Sequence, residues 1–83
     1  MTNQIKTLQS LQEQIVNVDD YYVLTLRKNE IVFQGNFTPE IVKSINNKCM
    51  DVGVDKMEQK VTDAGYVEIR FKYLGVAVEI TLT

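Results

Sequence analysis

The chain has 83 residues, a formal net charge of −2, no histidine and one cysteine. This length predicts one small domain over residues 1–83 and leaves no room for a separate catalytic domain. The mildly acidic balance gives no support for nucleic-acid binding. A lone cysteine excludes an internal disulfide and favours a reducing, cytoplasmic setting. No apolar run approaches the ~18 residues of a membrane span.

The first predicted element is an amphipathic helix over residues 3–16, followed by a polar connector that ends at residue 18. Apolar residues recur there at spacings of three and four, which is typical of a helix with one narrow apolar stripe. Two arrangements are open, because the stripe can dock on the domain's own sheet or pair with a helix of a partner. The stripe consists of Ile5, Leu8, Leu11 and Ile15.

A β-hairpin is predicted over residues 21–33, with a turn at Lys28-Asn29, because asparagine tolerates the left-handed conformation. This pairing sets Arg27 opposite Glu30. One face of the hairpin holds Tyr22, Leu24 and Leu26 together with Ile31, Phe33 and Gly35. The other face is more apolar than a solvated face requires, and it holds Tyr21, Val23, Thr25, Val32 and Gln34.

A second helix is predicted at about residues 39–52. Thr38 is a favourable N-cap residue, and Pro39 suits the first helical position, where its missing N–H costs nothing. Gly53 is the expected left-handed residue that ends the helix. Cys49 falls on the apolar stripe and is therefore predicted to be a core residue. The stripe consists of Ile41, Val42, Ile45, Cys49 and Val52.

The last third of the chain predicts three antiparallel strands, at residues 56–62 and in a hairpin over residues 66–83. Gly75 supplies the positive φ that a two-residue turn at Leu74-Gly75 requires. The turn before it, at residues 63–65, pairs Val61 with Val67, Gln59 with Ile69 and Met57 with Phe71. The last hairpin pairs Tyr73 with Val76, Phe71 with Val78, Ile69 with Ile80, Val67 with Leu82 and Arg70 with Glu79.

The element order predicts an α+β fold, α-β-β-α-β-β-β, with a five-stranded, mostly antiparallel sheet and two helices packed on one face. The helical connection makes the second and third strands parallel in direction. If every neighbouring pair is antiparallel, the strand order is 2-1-3-4-5 or 2-1-5-4-3.

The sequence does not predict an enzyme. Histidine, the commonest general base and metal ligand, is absent, so Cys49 has no partner for nucleophilic catalysis. Asp51 and Asp55 flank a glycine turn without calcium-loop spacing, and they are interpreted as turn chemistry. No catalytic residue, cofactor site or metal site is predicted.

Protein binding fits the residues better. The last strand, residues 76–83, has one charge and no proline, so at a sheet edge it would be unprotected and could pair with a twin strand in a homodimer. In the second strand order, 2-1-5-4-3, the strand is instead central. We therefore expect a small accessory or inhibitor-type protein, of bacterial or phage type, that acts through protein–protein contacts. Its predicted interface comprises Tyr21, Val23, Val32, Ala77, Glu79 and Thr81.

The alternative function is single-stranded nucleic-acid binding on the outer face of the last three strands. Three glutamates lie among the cations of that face, so the field largely cancels. Small-molecule capture between helices and sheet is a third hypothesis, and it requires a cavity. The alternative nucleic-acid face comprises Lys60, Tyr66, Arg70 and Lys72.

Overall fold

The computed structural model describes residues 2–54 and 56–83, so Asp55, assigned above to turn chemistry, lies outside the described residues. The elements follow the predicted order, and the protein has an α+β fold with two helices packed on one face of a five-stranded sheet. A short 3-10 turn, Val18–Asp20, precedes the first strand. The helices and strands are α1 Thr2–Gln14, β1 Tyr21–Arg27, β2 Glu30–Gly35, α2 Pro39–Asp51, β3 Glu58–Val61, β4 Val67–Tyr73 and β5 Val76–Leu82.

The strand order is β1-β2-β5-β4-β3, so both predicted orders are wrong. Strands β2 and β5 pair in parallel, whereas the other three neighbouring pairs are antiparallel. The prediction placed β1 inside the sheet because it kept every neighbouring pair antiparallel. The parallel pair instead sets Ile31 beside Val78 and Phe33 beside Ile80. All four are almost fully buried, so this pairing places the most apolar strands under the helices.

The register of the last hairpin is confirmed at every predicted pair, from Val67 with Leu82 to Tyr73 with Val76. Leu74 and Gly75 both have positive φ, 52° and 79°, as a type I′ turn requires. Leucine is unusual in this left-handed region, because its Cβ crowds the backbone there. The turn therefore holds one strained residue.

Leu74→Asn is expected to stabilise the protein by about 1 kcal/mol, since asparagine tolerates left-handed φ at lower cost. Little packing is lost, because Leu74 is 65% exposed. Urea unfolding should show a higher midpoint for this variant. The converse control is Asn29→Leu, which places leucine at φ 61° in the first hairpin and should lower the midpoint. A lower midpoint for Leu74→Asn would contradict the expected strain.

The first hairpin contains a β-bulge that its sequence pattern did not predict. Leu26 pairs with Ile31 and Leu24 with Phe33 as predicted, but the register shifts between Tyr21 and Val23. Tyr21, rather than Tyr22, therefore lies opposite Gly35. The Tyr21 ring packs on the Phe33 ring with centroids 5.2 Å apart, so this tyrosine belongs to the helix-covered face.

Helix α1 docks on the sheet of its own chain, which decides between the two predicted arrangements. Leu11 and Ile15 are buried in the core, and Leu8 packs against it. The Ser10 hydroxyl lies 2.6 Å from the Tyr73 hydroxyl. At the other end of the helix, the Gln4 side-chain amide donates a hydrogen bond to the Arg27 carbonyl. The helix thus connects the ends of strands β1 and β4.

Helix α2 begins and ends as predicted. The Thr38 hydroxyl accepts a hydrogen bond from the Ile41 N–H at 3.1 Å, and Gly53 follows the helix with φ 78°. Ile45 and Cys49 are fully buried against the sheet. Strand β3 is shorter than predicted and begins at Glu58, so the expected pair between Met57 and Phe71 does not form.

The predicted inner face of β3 remains largely uncovered, because β3 is an edge strand. Val61, expected to point inward, is 72% exposed although it pairs with Val67 as predicted. Gln59, the polar residue predicted on this face, donates a hydrogen bond to the Asn46 side chain at 2.6 Å. This bond connects β3 to α2.

Candidate protein-interaction surface

The sheet face opposite the helices has one charged half, formed by β3, β4 and the adjoining side of β5. Glu68 Oε1 lies 3.7 Å from Lys60 Nζ and 3.5 Å from Arg70 Nη2. The same Arg70 nitrogen lies 2.9 Å from Glu79 Oε1. Glu68 Oε1 is buried and has no hydrogen-bond partner among the described residues, so these two cations balance its charge. Positive and negative groups therefore alternate across this half.

The alternating charges weaken the case for the predicted nucleic-acid face. Two of its cations, Lys60 and Arg70, are already engaged by carboxylates, and only Lys72 and Tyr66 of that set are outside the network. An approaching phosphate would meet the field of Glu68 and Glu79 as well as that of the cations. On the described part of this face, carboxylates interrupt the cations, so a single strand would not meet a continuous positive track there.

The other half of this face, formed by β1, β2 and part of β5, carries few charges, and its Arg27–Glu30 ion pair lies at the turn end of the hairpin. Tyr22 is 59% exposed and Val23 37% exposed, and the bulge places both side chains on this face, where strict alternation would separate them. The Tyr22 hydroxyl lies 3.3 Å from the Thr83 hydroxyl. We call this surface the neutral patch, and it consists of Tyr22, Val23, Thr25, Gln34 and Thr81.

Some residues of the predicted interface lie in or beside the neutral patch, and others do not. Val23 and Thr81 belong to the neutral patch. Glu79 belongs to the charged half, and Ala77, two residues before it in β5, is half-buried. Val32 is only 7% exposed between Thr25 of β1 and Glu79 of β5, so it offers little surface for the predicted contact.

Tyr21, also predicted at the interface, lies on the helix-covered face of the sheet. The bulge turns its ring toward Phe33, and burial, reinforced by the nearby Asp20 carboxylate, raises the pKa of Tyr21 to about 12. Its neighbour Tyr22 takes the exposed position that alternation had assigned to Tyr21. The alternation of side chains along the strand did not predict this exchange, because a bulge inserts one residue without leaving a signal in the amino-acid composition of the strand.

Strand β1 is also exposed on its helix-facing side and along its free edge. Leu24 is 42% and Leu26 47% exposed, although their cross-strand partners Phe33 and Ile31 are fully buried. Ile5, next to the Gln4 that bonds to β1, is 53% exposed. The helices thus cover the middle of the sheet and leave its β1 margin uncovered. The sequence signal for this margin was present, since β1 carries apolar residues on both faces.

The predicted twin-strand pairing through β5 is wrong, because β5 lies between β2 and β4 and both its edges are occupied. The free edges of the sheet belong to β1 and β3. Of these, β1 is the longer, with seven residues against four. It contains no proline and a single charged residue, Arg27, so it lacks the usual protection of an edge strand.

A groove of about 740 Å³ lies at the end of the sheet near Tyr73 and Leu74. Its apolar floor includes Val54 and Phe71, and its cations and carboxylates among the described residues are equal in number. Such a mixture selects neither an anion nor a cation. The groove is lined partly by the outward-facing Arg70, Lys72 and Glu79, so it is not the cavity between helices and sheet that small-molecule capture was expected to use. The charged residues are Glu30, Lys56, Glu58, Arg70, Lys72 and Glu79.

The described residues include no group of three or more side chains placed to hold a metal ion. Cys49 is buried, and desolvation raises the pKa of its thiol to about 11. The thiol is therefore protonated at neutral pH and is a poor nucleophile. This behaviour agrees with its predicted place in the core.

In the described part of the chain, no helix combines the length and apolar character needed to cross a membrane. No protein-family model, curated protein or solved structure matches this sequence or its fold. The chemistry of the surface is therefore the guide to function.

Proposed function

We propose that this protein is a non-enzymatic interaction module that docks on another protein through the neutral patch. The observation that carries the proposal is the exposed Tyr22–Val23 pair in the neutral patch, on the sheet face that the helices leave open. Centres of protein–protein interfaces are depleted in charge and enriched in tyrosine, which buries a large apolar ring at low entropic cost. Thr25, Gln34 and Thr81 supply polar groups around this pair.

The proposed role is that of a small accessory or inhibitor-type protein, of bacterial or phage type, acting in the cytoplasm. Two observations support a role without catalysis. Histidine is absent from the sequence, and the only thiol is buried and protonated. The alternating charges of Lys60, Glu68, Arg70 and Glu79 favour a protein partner over a nucleic acid.

The proposal is tested by affinity capture from the cell of origin with the tagged protein, with and without nuclease. We expect specific proteins to be retained after nuclease treatment by the wild type. Tyr22→Ala removes the most exposed aromatic ring of the neutral patch and should reduce their recovery about tenfold or more, as truncation of an interface tyrosine commonly does. Recovery is measured by quantitative mass spectrometry.

Lys43→Ala is the matched control, because Lys43 is an exposed residue of α2 on the opposite side of the molecule. It should leave recovery unchanged, and circular dichroism should show that both variants fold. If all specific partners disappear on nuclease treatment, and on Lys72→Glu, the nucleic-acid alternative replaces this proposal. Equal recovery by Tyr22→Ala and wild type, or no specific protein in either arm, also overturns it.

A further inference from the structure

Strand β1 has one unoccupied side, and its regular part is residues 23–27. Among the strands of residues 2–54 and 56–83, β2 alone pairs with β1, and the bulge between Tyr21 and Val23 disturbs the start of that pairing. In an antiparallel ladder alternate residues direct their N–H and C=O groups away from the partner strand. The free side of residues 23–27 therefore presents backbone N–H and C=O groups that can accept another strand, apart from the Arg27 carbonyl, which accepts a hydrogen bond from the Gln4 side chain.

The side chains of this segment limit what can occupy the edge. Leu24 and Leu26 are each about half exposed on the helix-facing side, next to partners that are fully buried. A peptide strand that covered only the backbone would leave both leucines in water. An occupant that suits them must bring its own apolar side chains to the same face.

A second copy of this chain meets that requirement. In an antiparallel pair with its two-fold axis at Thr25, Leu24 lies opposite Leu26 of the second copy, and the reverse contact follows by symmetry. Thr25 then lies opposite its own counterpart, which is a favourable cross-strand pair. The only charged residue of the strand, Arg27, lies opposite a valine, so no like charges meet, and its Glu30 ion pair at 3.6 Å can persist.

We infer that the protein is a homodimer in which two β1 strands pair antiparallel about Thr25 and join the two sheets into one. The inference rests on the proposed function for its role. In the joined sheet, the two neutral patches lie side by side on one face. A partner with two equivalent sites, or one broad site, then contacts both patches. The docking surface of the module is thus doubled without any new residue.

Sedimentation equilibrium of the purified full chain tests the inference. We expect a mass near twice 9.5 kDa, falling toward the monomer on dilution over about a hundredfold concentration range. Leu26→Lys places a charge at each of two symmetry-related contacts and should raise the dimer dissociation constant about 100-fold. The control is Val61→Lys, the same change at a 72% exposed apolar residue of the other edge strand, which should leave the dimer intact.

A cross-link tests the position of the axis. Thr25→Cys places two thiols across a close antiparallel pair, within the Cα separation that a disulfide needs, so added diamide should oxidise them to a covalent dimer. Native Cys49 is buried and should not react. Val61→Cys is the control and should form far less dimer. A monomeric wild type, a dimer insensitive to Leu26→Lys, or equal cross-linking at Val61→Cys overturns the inference.

The outcomes separate this inference from the proposed function. A monomer that still captures partners through Tyr22 removes the homodimer and leaves the docking function. A dimer that Leu26→Lys dissociates, but that captures no partner, confirms the β1 pairing and removes the docking function.

Discussion

Leu11→Ala is expected to destabilise the protein by about 2–5 kcal/mol, the range for removing a buried leucine side chain and leaving a cavity. Leu11 is fully buried where α1 crosses the sheet. Alanine is a better helix former than leucine, so the loss reflects packing and not helix propensity. A domain of this size has a total stability of about 4–12 kcal/mol, so this one contact is a large share of it.

Ile5→Ala is the matched control because it removes an apolar residue from the same stripe of the same helix. Ile5 is 53% exposed, so its replacement should change stability by well under 1 kcal/mol. Urea unfolding followed by circular dichroism measures both variants. If the two midpoints shift equally, or if Leu11→Ala changes nothing, α1 does not dock on its own sheet as the structure shows.

The parts of the fold that sequence predicted correctly are those set by local chemistry. The register of the last hairpin follows from alternation and from Gly75, and the start of α2 follows from Thr38 and Pro39. These signals act over a few residues and need no knowledge of the rest of the chain. The surface on which α1 docks could not be predicted, because an apolar stripe fits a sheet and a partner helix equally well.

The strand order was out of reach because it depends on a parallel contact between β2 and β5, which are about 45 residues apart in the chain. The sequences of β1 and β2 are both typical of apolar strands, and no local sequence signal indicates which of them is central in the sheet. The choice follows from how much side-chain surface each can bury, and the core buries Ile31 and Phe33 of β2 while leaving Leu24 and Leu26 of β1 exposed. Because β1 was predicted inside the sheet, its free edge was not recognised, and β5 was predicted as the unprotected edge strand.

The candidate surface was predicted in part. Val23 was identified from the apolar character of the open face and Thr81 from the weakly charged last strand. Tyr22 was assigned to the covered face and Tyr21 to the open one. One inserted residue at the bulge accounts for this exchange. The residue that signals the bulge is Gly35, because only glycine leaves space for the Tyr21 ring.

Gly35→Ala is therefore expected to destabilise the protein by about 1–3 kcal/mol through overpacking. A Cβ at this position would lie 2.8 Å from Tyr21 Cδ1 and 2.9 Å from the Asp20 carbonyl oxygen. The ring is held by Phe33 and the carbonyl belongs to the backbone, so neither contact can move away at low cost. The strain should appear as a lower urea midpoint and as altered environments of Tyr21 and Phe33 in NMR spectra.

Gln34→Ala is the control, since Gln34 is the exposed neighbour of Gly35 in the same strand and its replacement should change stability by less than about 0.5 kcal/mol. The Gly35→Ala/Tyr21→Ala double variant separates the two contacts. It removes the ring contact but keeps the carbonyl contact, so the added methyl group should cost less in the Tyr21→Ala background than in the wild type. An equal cost in both backgrounds would show that the bulge does not press the Tyr21 ring onto Gly35, and Tyr22 would then lose its assignment as the exposed tyrosine of the neutral patch.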